Sequence, residues 1–184
     1  MQILAINIFI SFLQNPPSDF LLKKMKEEGF WREFLQVNKP LQAKALKILT
    51  NLNENENFIA SDYTSLFLSD TDFVKAPLYA SFYLSKDKEI YSLNSQKVRE
   101  IFIKHNFLEF FDKEPADSMI NELLFIRYLI KSKDFESLAR FLKEDFSWFF
   151  EWNLDVLNNA KSEFYKALAM IMKDFFEELI INLK

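Results

Sequence analysis

Residues 114–129 read EPADSMINELLFIRYL, from Glu114 to Leu129. In this stretch Ile120, Leu123, Leu124, Ile126 and Leu129 recur at the three- and four-residue spacing that places side chains on one broad face of an α-helix. Pro115 suits a first helical turn, where its missing N–H costs nothing, and the acidic run from Asp112 to Asp117 suits the positive end of the helix dipole. The segment predicts a strong helix that opens within 112–117 and buries an apolar face.

The same periodicity extends in both directions. Toward the C-terminus it predicts helices over about 135–142 and 148–157 and from Glu163 onward, the last with Phe164, Leu168, Ile171, Phe175 and Leu179 on one side. Toward the N-terminus, Ser95 is a candidate cap for a helix bearing Val98, Ile101 and Phe102, with Asn106 a left-handed stop after it. APLYASFYL, residues 76–84, sets Pro77 ahead of Tyr79, Phe82 and Tyr83 at helical spacing. Ser61 or Asp62 is a candidate cap for DYTSLF, residues 62–67, in which Tyr63, Leu66 and Phe67 share a face. Pro40 opens a helix that ends in the polar run from Asn51 to Asn57, and Ser18 caps one closed by Gly29. One short strand has room near Ile90. No period of 20 to 50 residues recurs and no linker divides the chain. The expectation is an all-α fold, a single helical bundle domain spanning residues 1–184.

Composition removes several kinds of chemistry. Among 184 residues there are 22 Phe, 6 Tyr and 3 Trp, but 1 Gly, 1 His and no Cys. Gly29 alone cannot build a phosphate-cradling loop, and His105 alone cannot build a zinc site or a nucleophilic relay. His105 reads instead as a residue of a helix end. Asp70 and Asp72 resemble the start of a calcium loop but lack its glycine and distal glutamate, so no metal or cofactor is expected. A net charge of −4 argues against nucleic acid and suits a basic partner better. The apolar start of the chain is broken by Gln14, Asn15, Pro16 and Pro17, and the stretch from Glu163 to Leu183 by five charged residues, so neither predicts a membrane span. The lack of Cys favours a reducing compartment.

Two groups of residues invite a functional reading beside a structural one. Asp112, Glu114, Asp117 and Glu122 surround one helix start, where carboxylates cap backbone N–H groups or receive a basic ligand. Tyr63, Leu66, Phe67, Tyr79 and Tyr83 are core on spacing alone, although the polar tips of the tyrosines also suit the wall of a wet groove.

The order of DYTSLF, APLYASFYL and EPADSMINELLFIRYL resembles the TorD/DmsD/NarJ family of cytoplasmic chaperones for molybdoenzymes, as does an apolar first helix followed by paired prolines. The resemblance implies a TorD-like helical fold that binds the twin-arginine signal peptide of an apo molybdoenzyme catalytic subunit and holds it until cofactor insertion. It further implies a monomer or a segment-swapped dimer. Carried over by position, Tyr63, Leu66, Phe67, Pro77, Tyr79 and Tyr83 match aromatic and apolar groove positions, while Glu114, Pro115 and Asp117 match an acidic helix start. Ser118 stands where the family usually carries histidine, and its hydroxyl is expected to meet a peptide backbone. A basic, apolar leader calls for carboxylates beside an apolar cleft, since guanidinium forms charge-assisted pairs with carboxylate. An adaptor that docks the mature subunit without touching its leader is the rival reading, and an enzyme acting through Glu114 and Asp117 ranks last.

Overall fold

The computed structural model describes residues 2–35, 38–68, 74–85, 93–108, 111 and 113–183. Among these there are eleven α-helices, one π-helical turn and no strand beyond a single isolated bridge. The helices are α1 (Gln2–Gln14), α2 (Asp19–Glu27), α3 (Phe30–Phe34), α4 (Pro40–Thr50), α5 (Glu56–Tyr63), α6 (Ala80–Leu84), α7 (Leu93–Lys104), α8 (Met119–Ser132), α9 (Phe135–Glu144), α10 (Phe149–Asn159) and α11 (Glu163–Asn182). The expected all-α class is the one observed. Backbone packing sorts the chain into two compact units, one of residues 1–14, 78–152 and 180–184, the other of residues 15–77 and 153–179. Asp70, Asp72, Ile90 and Asp112 lie outside the described residues.

The first unit is built on α8. Met119, Leu123, Phe125, Ile126 and Leu129 are sealed from solvent, and α1 packs against this helix through a face that includes Ile6, Phe9 and Leu13. Arg127 donates from Nη1 to Asn7 Oδ1 at 2.8 Å on the rim of that contact. On the other side Phe125 meets Phe102 and Phe141, each with ring centroids 4.9 Å away. This is where the abundant phenylalanine goes: edge-on and tilted ring contacts add specificity to the burial of large apolar area. His105 closes α7, as expected of a helix-end residue, with Nδ1 3.7 Å from Asp134 Oδ2. Asn106 follows at φ 52°, the left-handed stop its sequence position suggested.

In the second unit Ser18 caps α2 by accepting from Leu21 N, and Gly29 follows the helix at φ 65°. A Cβ at Gly29 would meet nothing within 4 Å, so backbone conformation alone demands glycine there. Pro40 opens α4 as its residue type predicts. The expected cap at Ser61 or Asp62 is corrected: Asn55 caps α5 through Phe58 N at 2.9 Å, and Asp62 lies inside the helix. Asp62 instead reaches the start of α11, accepting from Lys161 N and, at 2.8 Å, from Ser162 N. Glu54 accepts from Glu163 N and Phe164 N, and Ser162 Oγ from Tyr165 N. The first two N–H groups of α11, which have no partner within their own helix, are thus satisfied from about 110 positions away and the third by the local Ser162.

Candidate functional site

The EPADS segment is a loop and its serine is the helix cap. Ser118 Oγ accepts from Asn121 N at 3.2 Å and α8 begins at Met119, so Pro115 stands before the helix and not in its first turn. The reason is local: Pro115 O accepts from Ser118 N at 3.0 Å, and Asn121 Nδ2 donates to the same carbonyl at 3.1 Å. These bonds hold a tight turn that a helix would break. Ser95 sits buried inside α7 and not at its start, because its hydroxyl accepts from Ala116 N of that turn at 3.1 Å. Ser118 is itself buried, its hydroxyl engaged in the cap and not offered to a peptide backbone.

Against this loop runs the short extended segment before α6. Met119 N donates to Leu78 O at 2.8 Å and Ala80 N to Asp117 O at 3.0 Å, which makes the antiparallel bridge between Tyr79 and Ser118. Tyr79 is therefore extended, in the cap position of α6 and not on its helical face. A five-residue helix carries mostly unpartnered N–H groups at its start, and a tyrosine side chain cannot cap it. Asp117 does so from the facing loop, Oδ2 accepting from Ser81 N at 2.8 Å and from Asn94 Nδ2 at 3.4 Å.

The two carboxylates expected to act together are thereby separated. Asp117 is 0% exposed and spent on α6, so it does not meet a guanidinium at the surface. Glu114 stays exposed, with Tyr79 Oη donating to its Oε2 at 3.2 Å. Pro115 is buried beneath them.

One turn into α8 a second carboxyl lies inside the unit. Glu122 is 0% exposed, and its Oε2 accepts from Trp148 Nε1 at 2.9 Å. Burial pushes its carboxyl well above the usual carboxylate range, the Trp148 bond opposes this, and the negative charges of Asp117 and Asp145 raise it further. Tyr83, half-buried, stacks on Trp148 with centroids 5.4 Å apart and planes 25° from parallel. Asp145 closes α9 and takes Lys97 Nζ at 2.6 Å, a bond that holds the Lys97 ammonium above its ordinary pKa. Sequence reading named Glu122 only among the carboxylates of a helix start and did not bring Trp148, Asp145, Lys97 or Ser81 to it. Glu122 was legible as a charge on the stripe of Met119, Leu123 and Ile126; the other four come from α6, α7 and the approach to α10, which no spacing joins.

Tyr63, Leu66, Phe67 and Pro77 belong to the second unit, and all four are buried there. Tyr63 and Phe67 pack on each other and on Tyr165, with centroids 5.4 to 6.1 Å apart, and burial raises the Tyr63 hydroxyl pKa. Thr64–Leu68 continue α5 as a π-helical turn. Two carbonyls of that turn are taken up by the returning chain, Ser65 O by Lys75 N at 3.3 Å and Leu66 O by Ala76 N at 2.8 Å. The aromatic half of the expected set is core packing in the second unit, while Tyr79, Tyr83, Glu114, Pro115, Asp117 and Ser118 gather in the first.

The second unit also carries a groove of about 310 Å³ bordered by Lys26, Glu27, Trp31 and Arg32, in which cations outnumber the one carboxylate. Among the described residues no group of three His, Cys, Asp or Glu is placed to hold a metal ion, and no helix is long and apolar enough to cross a membrane.

The family model of the nitrate reductase delta subunit matches residues 35–169. Among solved structures, a candidate redox enzyme maturation protein from Archaeoglobus fulgidus superimposes with a TM-score of 0.63 at 22% identity, covering 96% of this chain and 94% of that one. No curated protein matches the sequence. The matched span contains all three segments that framed the loop and α8, and the chain belongs to the nitrate reductase delta subunit family.

Proposed function

We propose that this protein is a redox enzyme maturation chaperone of the cytoplasm, which binds the basic, apolar leader of an apo molybdoenzyme and performs no bond-making of its own. The observation that carries the reading is the exposed Glu114 carboxylate, positioned by Tyr79 on a family-matched loop whose inner side is lined by further carboxylates. A guanidinium near Glu114 gains a charge-assisted pair, and the apolar part of the leader packs against Tyr79 and Tyr83. Asp117 and Ser118 act as positioning residues: one caps α6, the other α8, and together they fix the loop that presents Glu114. Tyr63, Leu66, Phe67 and Pro77 shape the second unit and enter the footprint only if that core repacks on binding.

The direct test is a titration of the chain with a leader peptide bearing paired arginines. Ordering a flexible peptide offsets much of its contact energy, so dissociation constants of about 1 to 10 μM are expected, and no binding below about 100 μM would remove the reading. Glu114→Gln should weaken binding about tenfold.

A second reading rests on a different observation. Leu93 and Leu108, at the start of α7 and just after its end, are 81% and 80% exposed. Apolar side chains so presented suit docking of a mature subunit, with or without its leader. Pull-downs of the client with and without its leader separate the two readings.

A further inference from the structure

The turn that carries Glu114 is also where two helices of the first unit begin. One oxygen, Asp117 Oδ2, accepts from Ser81 N at 2.8 Å and from Asn94 Nδ2 at 3.4 Å, so the starts of α6 and α7 converge on a single carboxylate. Ser95 Oγ accepts from Ala116 N at 3.1 Å and pins α7 to the turn a second time. Tyr79 Oη reaches Glu114 from the N-cap position of α6. Side chains next to these bonds in the chain therefore border the turn. Leu93 precedes Asn94 and is 81% exposed, and Leu84, one helical turn beyond Ser81, is 49% exposed.

A single exposed leucine needs no explanation. Leu93 differs in its company: α6 packs against α7, and the half-buried Tyr79 and Tyr83, the exposed Leu84 and the exposed Glu114 carboxylate all belong to this pair of helix starts and the turn they meet. Lys97, four positions along α7, keeps its ammonium on Asp145 at 2.6 Å and is engaged there, not on Glu114. A carboxylate bordering apolar side chains is complementary to a peptide that is basic and then apolar. Leu108 lies past the opposite end of α7, and no bond among the described residues ties it to this turn.

We propose that Leu93 is a specificity-determining contact for the leader: with an arginine on Glu114, the apolar stretch of the peptide crosses the start of α7 and covers Leu93 and Leu84. The proposal rests on the reading of the protein as a leader-binding chaperone and adds how it chooses among basic peptides. Glu114 selects for charge, and Leu93 selects for the apolar character of what adjoins that charge. A peptide with the same arginines and a polar continuation gains only the first contact. Leu93 thus belongs to the footprint of the leader, and Leu108 does not.

The experiment titrates the full chain with two synthetic peptides, one carrying paired arginines followed by a leucine-rich stretch, the other with the same arginines and serines in place of the leucines. Wild type, Leu93→Ser, Leu93→Ala and Leu108→Ser are compared, with circular dichroism to verify the fold. Leu93→Ser should weaken the leucine-rich peptide about tenfold, Leu93→Ala by less and Leu108→Ser not at all. The serine peptide should bind more weakly, with no difference between wild type and Leu93→Ser. Equal affinity of wild type and Leu93→Ser for the leucine-rich peptide would overturn the assignment of Leu93 while leaving the leader-binding reading in place, as would an equal loss for Leu108→Ser or for the serine peptide. A loss for Leu93→Ser confined to pull-downs of the leaderless client would move Leu93 to docking of the mature subunit and overturn the proposal in the same way. If the wild type binds neither peptide below about 100 μM, the proposal and the leader-binding reading fall together.

Discussion

Glu122 is the residue whose chemistry departs furthest from its composition-level role. Its carboxyl is favoured neutral by burial, with the negative charges of Asp117 and Asp145 adding to the effect. A carboxyl raised in the folded state contributes its full stability below the unfolded value, about 4.3, and loses it as pH climbs through the folded value. Glu122→Gln keeps an acceptor for Trp148 and removes the charge. We expect urea unfolding to show the variant more stable than the wild type at pH 8, with the gap closing or reversing at pH 5. A gap independent of pH would show that the carboxyl titrates normally in the fold. The same scale explains what could be read from the chain beforehand: Glu114, Asp117 and Ser118 were identifiable as one acidic turn, but which carboxylate faces water depends on a bond from Ser81 N, 36 positions away. Local spacing carries no information about a partner at that distance.

At the scale of elements, stops and starts followed the residues that physically require them. Gly29 ended α2 and Pro40 opened α4 because one supplies a left-handed φ and the other lacks a donor. Gly29→Ala should cost about 1 kcal/mol in chemical denaturation, all of it from the backbone, since the added methyl meets open space. Gly29→Asn should cost less, asparagine being more tolerant of that conformation. Helix starts were misread where a residue of capping type was engaged elsewhere, Asp62 on the start of α11 and Ser95 on Ala116 N, while another residue opened the helix. Ser61, Ser95 and Pro115 each had the right residue type for a helix start, yet α5, α7 and α8 begin elsewhere. Asp62 lies inside one helix and caps another. Asp62→Ala leaves the N–H groups of Lys161 and Ser162 without their acceptor in a buried setting and should cost about 2 kcal/mol, against less for Asp62→Asn. Equal losses for the two would place its value in packing and not in the cap.

For the whole molecule, the all-α class was legible because a chain with one glycine, and apolar residues at helical spacing nearly throughout, has few means to turn hairpins. The division of packing into two units was not legible, because each is assembled from separated stretches of chain and no linker marks the change. We propose that the two units nevertheless behave as one domain. Tryptophan fluorescence reports on both, with Trp31 in one and Trp148 and Trp152 in the other. Urea should give one transition, coincident by fluorescence and far-ultraviolet circular dichroism. Two resolved transitions would divide the chain into two domains.

The bonds from Asp62 and Glu54 to the start of α11 also set an order of events during synthesis. Those carboxylates leave the ribosome long before residues 161–164 are translated, so the earlier part of the second unit waits with its anchoring points empty. Final closure of that unit is a late step, and a ribosome paused before residue 160 should display a nascent chain that proteases cut readily between α2 and α5.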